Sequence, residues 1–239
     1  MDDLLKLDFL KLATPILTGI TYFSAFKNGK PTCDRFMVNN FLYLLVSLMI
    51  YITAIKVYEE KNITFGNNEA GVKFGLVILC IIFLVSISYV DNQLIKHLFG
   101  ILFIILLAYI VKGQIEKYDK ELIKDTILKV TIIVLACVLI AITFPQFIKP
   151  SMGNILIIGL LAGIIFKIID TVILDRKYTN YISYIMVALF TGFVIYDTDR
   201  VRKVGENCKK TGMPNYLSNM VDMFLNIINL FSNIAAVNE

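Results

Sequence analysis

The sequence predicts an all-α membrane protein built as a bundle of seven transmembrane helices. Three observations carry that reading. Hydrophobic residues make up 57% of the chain and charged residues 18%, with a mean hydropathy of +0.73, more apolar surface than a soluble domain of this length needs for its core. Seven apolar segments approach the roughly 20 residues that cross a bilayer as a helix. The last of them carries polar residues along one side only.

Taken in order, the first segment begins MDDLLKLDFLK, with Asp2, Asp3 and Asp8 among leucines, and Pro15 then interrupts the apolar run. A secretory signal opens on basic residues and continues unbroken. Residues 4–26 are therefore expected to be retained as an interfacial amphipathic helix, within an N-terminal segment 1–35 that precedes a single seven-helix domain over 36–239. The expected spans are 36–57, 74–90, 94–111, 126–144, 155–174, 181–197 and 216–237. Short connections rich in Asn, Gly, Pro and charge join them, none long enough for a second domain. Lys and Arg favour the N-terminal side, which the positive-inside rule places in the cytosol, and an odd number of spans puts the C-terminus opposite. Small residues spaced four apart, Gly159 with Gly163 and Ala188 with Gly192, suit close helix approach in a compact bundle.

The charge balance excludes some functions. A net charge of +4 is spread in clusters that flank apolar runs, so the partner is the lipid bilayer and not a nucleic acid. Cys33, Cys80, Cys137 and Cys208 lack the close spacing of zinc or redox motifs. No disulfide framework, resident metal or cofactor is expected.

Ionisable residues inside spans are costly and so become functional candidates. Four stand out: Lys167, Asp170, Asp197 and Asp222. Lys167 and Asp170 are three apart and share a helix face, so a local ion pair with a snorkelling lysine accounts for them and they rank second. Asn219, Asp222, Asn226, Asn229 and Asn233, spaced 3, 4, 3 and 4 apart, line one side of the seventh segment. Either an interfacial helix or a spanning helix facing a wet interior fits this stripe; its lack of Lys and Arg favours the spanning one. Asp197 ends the sixth apolar run, where it is either the exit into water or a partner for the stripe. Two carboxyls sharing a low-dielectric site tend to share a proton. Their deprotonation favours helix separation or a bound cation such as Ca²⁺.

The stretches GFVIYDTDRV at 192–201 and VDMFLNIINLF at 221–231 resemble the transmembrane Bax-inhibitor motif family, especially its Lifeguard and Golgi anti-apoptotic branch with its viral members. The resemblance covers residues 181–239 in motif and the whole chain in layout. It implies a seven-helix bundle of the Bax-inhibitor type with the last helix near the centre. It also implies a pH-dependent Ca²⁺ leak from the Golgi or endoplasmic reticulum, which lowers stored Ca²⁺ and suppresses apoptosis. Asp197 falls on the family's sixth-span aspartate, whereas its seventh-span aspartate falls on Asn226, which bonds but does not titrate. Asp222, one turn earlier, is the substitute acid, and some family members carry an acid there too.

Two rivals have distinct signatures. Intramembrane aspartyl proteases also place acids on their sixth and seventh helices, but Asp222 follows Asn219, Met220 and Val221, not the GxG of that class, and no PAL triplet follows. No enzyme activity is expected. A non-conducting protein that inhibits cell death by binding other membrane proteins, or copies of itself, is the alternative.

Overall fold

The computed structural model describes residues 7–63, 69–211 and 214–238. Asp2 and Asp3, used in reading the N-terminus, and the first residues of the expected interfacial helix lie outside the described residues. The described residues form eight α-helices: α1 (Leu7–Ala25), α2 (Phe36–Glu60), α3 (Glu69–Tyr89), α4 (Gln93–Ile115), α5 (Lys120–Thr143), α6 (Pro150–Val172), α7 (Thr179–Thr211) and α8 (Tyr216–Asn238). A two-stranded hairpin, β1 (Phe26–Lys27) and β2 (Lys30–Pro31), links α1 to α2. Helices α2 to α8 are each long and apolar enough to cross a membrane, as the seven-span reading requires.

Local chemistry sets the helix boundaries. Asn92 caps α4 by accepting the Leu94 and Ile95 amides, and Asp119 caps α5 by accepting that of Leu122. Pro150 opens α6, where its missing N–H and fixed φ cost nothing. Stripes such as Leu128, Ile132, Leu135 and Leu139 on α5, or Ile158, Leu161, Ile165 and Ile168 on α6, are exposed. A surface of that kind is stable only against lipid. By contrast, 61% of the apolar window of α8 is buried, against 11–33% for the other spans, making it the most enclosed helix.

The chain packs as two units. Residues 1–117 and 205–221 form one, and residues 118–204 and 222–239 the other, so α7 and α8 each contribute to both.

In the first unit, α1, the segment expected at the interface, runs antiparallel along α2. Thr14 and Thr53 hydroxyls lie 3.5 Å apart, and Ser24 donates to Asn39 at 2.5 Å. The hairpin turns on Asn28 and Gly29, both with positive φ, as an Asn-Gly hairpin requires. Buried Asn39 donates to the Asp34 carbonyl at 2.9 Å and to the Tyr216 hydroxyl at 3.2 Å. Tyr216 stacks between Phe36 and Tyr43, at 4.9 and 5.3 Å between ring centroids.

This unit also corrects the cysteine reading, because Cys33 and Cys208 are joined in a disulfide with their Cα atoms 5.6 Å apart. Their separation of 175 residues is a tertiary contact that local spacing does not encode. Six spans, an even number, lie between Cys33 and the end of α7, so both sulfurs fall on one side of the bilayer.

In the second unit, glycines let α6 and α7 interlock. A Cβ on Gly153 would meet the Tyr196 ring at 2.7 Å, one on Gly159 would meet Leu189 at 2.7 Å, and one on Gly163 would meet Met186 Sδ at 2.5 Å. Gly192 on α7 receives Leu156 in the same way, while Ala188 is exposed. Asp175 and Arg176 make the tight turn between the two helices in the left-handed region.

A second correction concerns α7, whose apolar run ends at Asp197 but whose helix continues to Thr211. Asp199, two residues past the expected span, is buried and paired with Arg202 at 2.7 Å and Lys203 at 2.5 Å, one turn on. Such i,i+3 and i,i+4 pairs hold a charged helix together where hydropathy gives no signal.

Candidate functional site

The extension of α7 places Asp197 inside a helix instead of at an exit. Asp197 is buried, and its Oδ2 accepts a hydrogen bond from Asn226 Nδ2 of α8 at 2.6 Å. One turn further along α7, the Arg200 guanidinium lies 3.6 Å from Asp197 Oδ1 and forms a charge-assisted hydrogen bond with Asp222 of α8. The α8 turn from Asp222 to Asn226 thus faces the α7 turn from Asp197 to Arg200. Two carboxylates, one guanidinium and one amide make a single cluster whose formal charge is −1 when both acids are ionised.

Arg200 is the functional residue that sequence reasoning missed. Its signal was present in YDTDR, where it stands three residues after Asp197. Ending the helix at Asp197 hid that they share a face. The guanidinium holds the two acids apart electrically while joining them mechanically, so the expected carboxyl pair is replaced by a bridged one. Its Nε is buried without a partner among the described residues.

A cavity of about 540 Å³ extends from this cluster between α6, α7 and α8. At one end it is lined by Gly153, Tyr196, Asp197, Arg200 and Asp222, and at the other by Lys167, Met186 and Asn233. From Gly153 to Lys167 along α6 is about 21 Å at 1.5 Å per residue, a large part of a bilayer core. Its walls differ in chemistry: α6 and α7 supply Ile157, Leu160, Ile164, Phe190 and Phe193, while α8 supplies Asn226 and Asn229.

The polar stripe of α8 divides between the units. Asn226, Asn229 and Asn233 line the cavity. Asn219 belongs to the first unit, where its amide donates to the Asn215 carbonyl at 2.7 Å. Asn229 and Asn233 each donate to the carbonyl four residues earlier, at 2.8 Å. Their own oxygens are then free of their helix's ladder, and Asn233 Oδ1 is buried with no partner among the described residues. Acceptor oxygens and a carboxylate cluster along one wall suit a hard cation.

The expected Lys167–Asp170 pair is not formed. Asp170 is buried and its carboxylate accepts the Tyr178 N–H at 2.8 Å and the Thr179 hydroxyl at 2.7 Å, securing the start of α7. The free N–H groups of a helix start are strong competitors for a nearby carboxylate, and here they take it from the lysine.

The family model described as Inhibitor of apoptosis-promoting Bax1 matches residues 33–237. A protein of Vibrio cholerae serotype O1, described as an uncharacterized membrane protein, is 30% identical over 86 residues, or 36% of this chain and 35% of that protein. The matched stretch thus spans about a third of that relative's length.

Proposed function

Since the chain belongs to the Bax-inhibitor family, we propose that it is a Ca²⁺ leak channel of the Golgi or endoplasmic reticulum membrane, modulated by pH through Asp197 and Asp222. In this reading it lowers stored Ca²⁺ and so suppresses apoptosis. The observation that supports it best is the Asp197–Arg200–Asp222–Asn226 cluster at one end of a long cavity whose α8 wall carries Asn226, Asn229 and Asn233.

With both acids ionised the cluster carries a net negative charge, which attracts a divalent cation and lets it compete with Arg200 for the carboxylates. Protonation of either acid cancels that charge and removes one anchor of the guanidinium. Ca²⁺ attraction then falls, so efflux rises with pH as the cluster loses protons. Asn226 holds Asp197 in place in both states because it does not titrate.

The bridge itself favours a second reading, a non-conducting protein that acts on cell death by binding partners, because Arg200 already satisfies both acids. Ca²⁺ efflux from liposomes containing the purified protein, across about pH 5 to 8, separates the two. Protein-dependent efflux that climbs with pH is expected. Efflux no faster than from protein-free liposomes at every pH would leave the binding reading.

A further inference from the structure

We infer that Lys167 is an electrostatic barrier at the far end of the cavity, setting how fast divalent cations pass and how they fare against monovalent ones. The inference rests on the leak reading and adds a residue to it. Lys167 lines the same cavity as Asp197 and Asp222, about 21 Å along α6 from Gly153 at the acidic end. It stands on the cavity-lining face with Asn154, Ile157, Leu160 and Ile164. Asp170, the acid that would neutralise it, is committed to Tyr178 and Thr179. No carboxylate lies within 4.0 Å of Lys167 among the described residues.

The cavity is therefore polar in two senses: anionic at the Asp197 end and cationic at the Lys167 end. A cation crossing from the acidic end must pass a fixed positive charge across walls of Ile, Leu and Phe, where Coulomb interactions are poorly screened. The energy of that passage scales with ionic charge. A barrier that slows Ca²⁺ by a given factor slows K⁺ by only the square root of it.

The test is efflux from liposomes holding the full chain. Lys167→Gln is expected to raise Ca²⁺ efflux about tenfold and K⁺ efflux about threefold, the ratio that charge scaling demands, while Lys167→Arg stays at the parent rate. A second variant guards against misfolding. In Lys167→Cys, a membrane-impermeant cationic thiosulfonate is expected to return Ca²⁺ efflux to the parent level, and a neutral thiosulfonate of similar size to leave it high. The parent treated with the same reagents controls for Cys80 and Cys137, both buried and outside the disulfide.

Equal Ca²⁺ efflux from the parent and Lys167→Gln would overturn this inference while the leak reading stands. So would equal effects of the two reagents, or equal fold-changes for Ca²⁺ and K⁺, which mark a steric plug. Absence of protein-dependent efflux from the parent and every variant would overturn the leak reading and this inference together.

Discussion

Removing the Arg200 guanidinium probes the bridged cluster most sharply. Arg200→Gln keeps a polar side chain of moderate length but deletes the charge between Asp197 and Asp222. At 3.6 Å and an effective dielectric constant near 20, the Asp197 contact alone is worth about 4 to 5 kcal/mol in gross Coulomb energy. Desolvation offsets much of that. Breaking a fully buried pair costs about 3–5 kcal/mol and an exposed one about 0–1. Here the side chains of Arg200 and Asp222 are 38% and 41% exposed while that of Asp197 is 6% exposed, so a net loss of about 2 kcal/mol is expected. For a chain of this length that is a fall of about 4–8 °C in melting temperature, read by thermal unfolding in detergent micelles. In Arg200→Gln/Asp222→Asn, one of the two stranded carboxylates is gone, so about half the loss should return, a coupling that additive effects would not give. Unchanged stability in Arg200→Gln, or strict additivity in the double variant, would refute the bridge.

Other outcomes follow from the same geometry. Asn226→Asp places a second carboxyl within hydrogen-bonding reach of Asp197, now 2.6 Å from the amide. The two should share a proton, so the efflux–pH profile is expected to become steeper; an unaltered profile contradicts it. Asp170→Ala removes the acceptor of two hydrogen bonds at the start of α7 and should cost about 1–3 kcal/mol of stability, seen by thermal unfolding, with no change in ion selectivity. Cys33→Ser opens a loop of 175 residues, for which chain entropy sets an upper bound of about 5 kcal/mol. A lower melting temperature is expected, and in the parent Cys208 should react with maleimide only after reduction. An intact bond there places the N-terminal side in an oxidising compartment, against the cytosolic side that the Lys and Arg balance favours, and reaction without reductant in intact membranes would restore the cytosolic placement, since such bonds are rare in reducing compartments.

Much of this was legible in the sequence. Seven apolar runs mark α2 to α8 because a span must be apolar along its whole length, and lipid-facing surfaces on α5 and α6 leave no ambiguity. The stripe of α8 was legible from helical spacing, and with it Asp222, Asn226, Asn229 and Asn233 as one face. What hydropathy did not reveal is helix that continues past the apolar run through charged residues. Asp199, Arg202 and Lys203 sustain α7 by charge pairing, and ending it at Asp197 hid Arg200. Pairing preferences were also beyond reach. Asp170 had two competing partners within nine residues, and only the fold decides between a lysine on its own helix and the start of the next. The Cys33–Cys208 bond is the extreme case, a contact between residues that share no local pattern.

In the proposed leak, ionised Asp197 draws Ca²⁺ into the cavity between α6, α7 and α8. Ca²⁺ efflux from liposomes at a fixed, mildly alkaline pH, comparing the parent with Asp197→Asn at equal content of folded protein, tests this at its root. Robust efflux is expected from the parent and a loss of about tenfold in Asp197→Asn, the scale of removing one charge from the cluster. Equal efflux from the two proteins would contradict it.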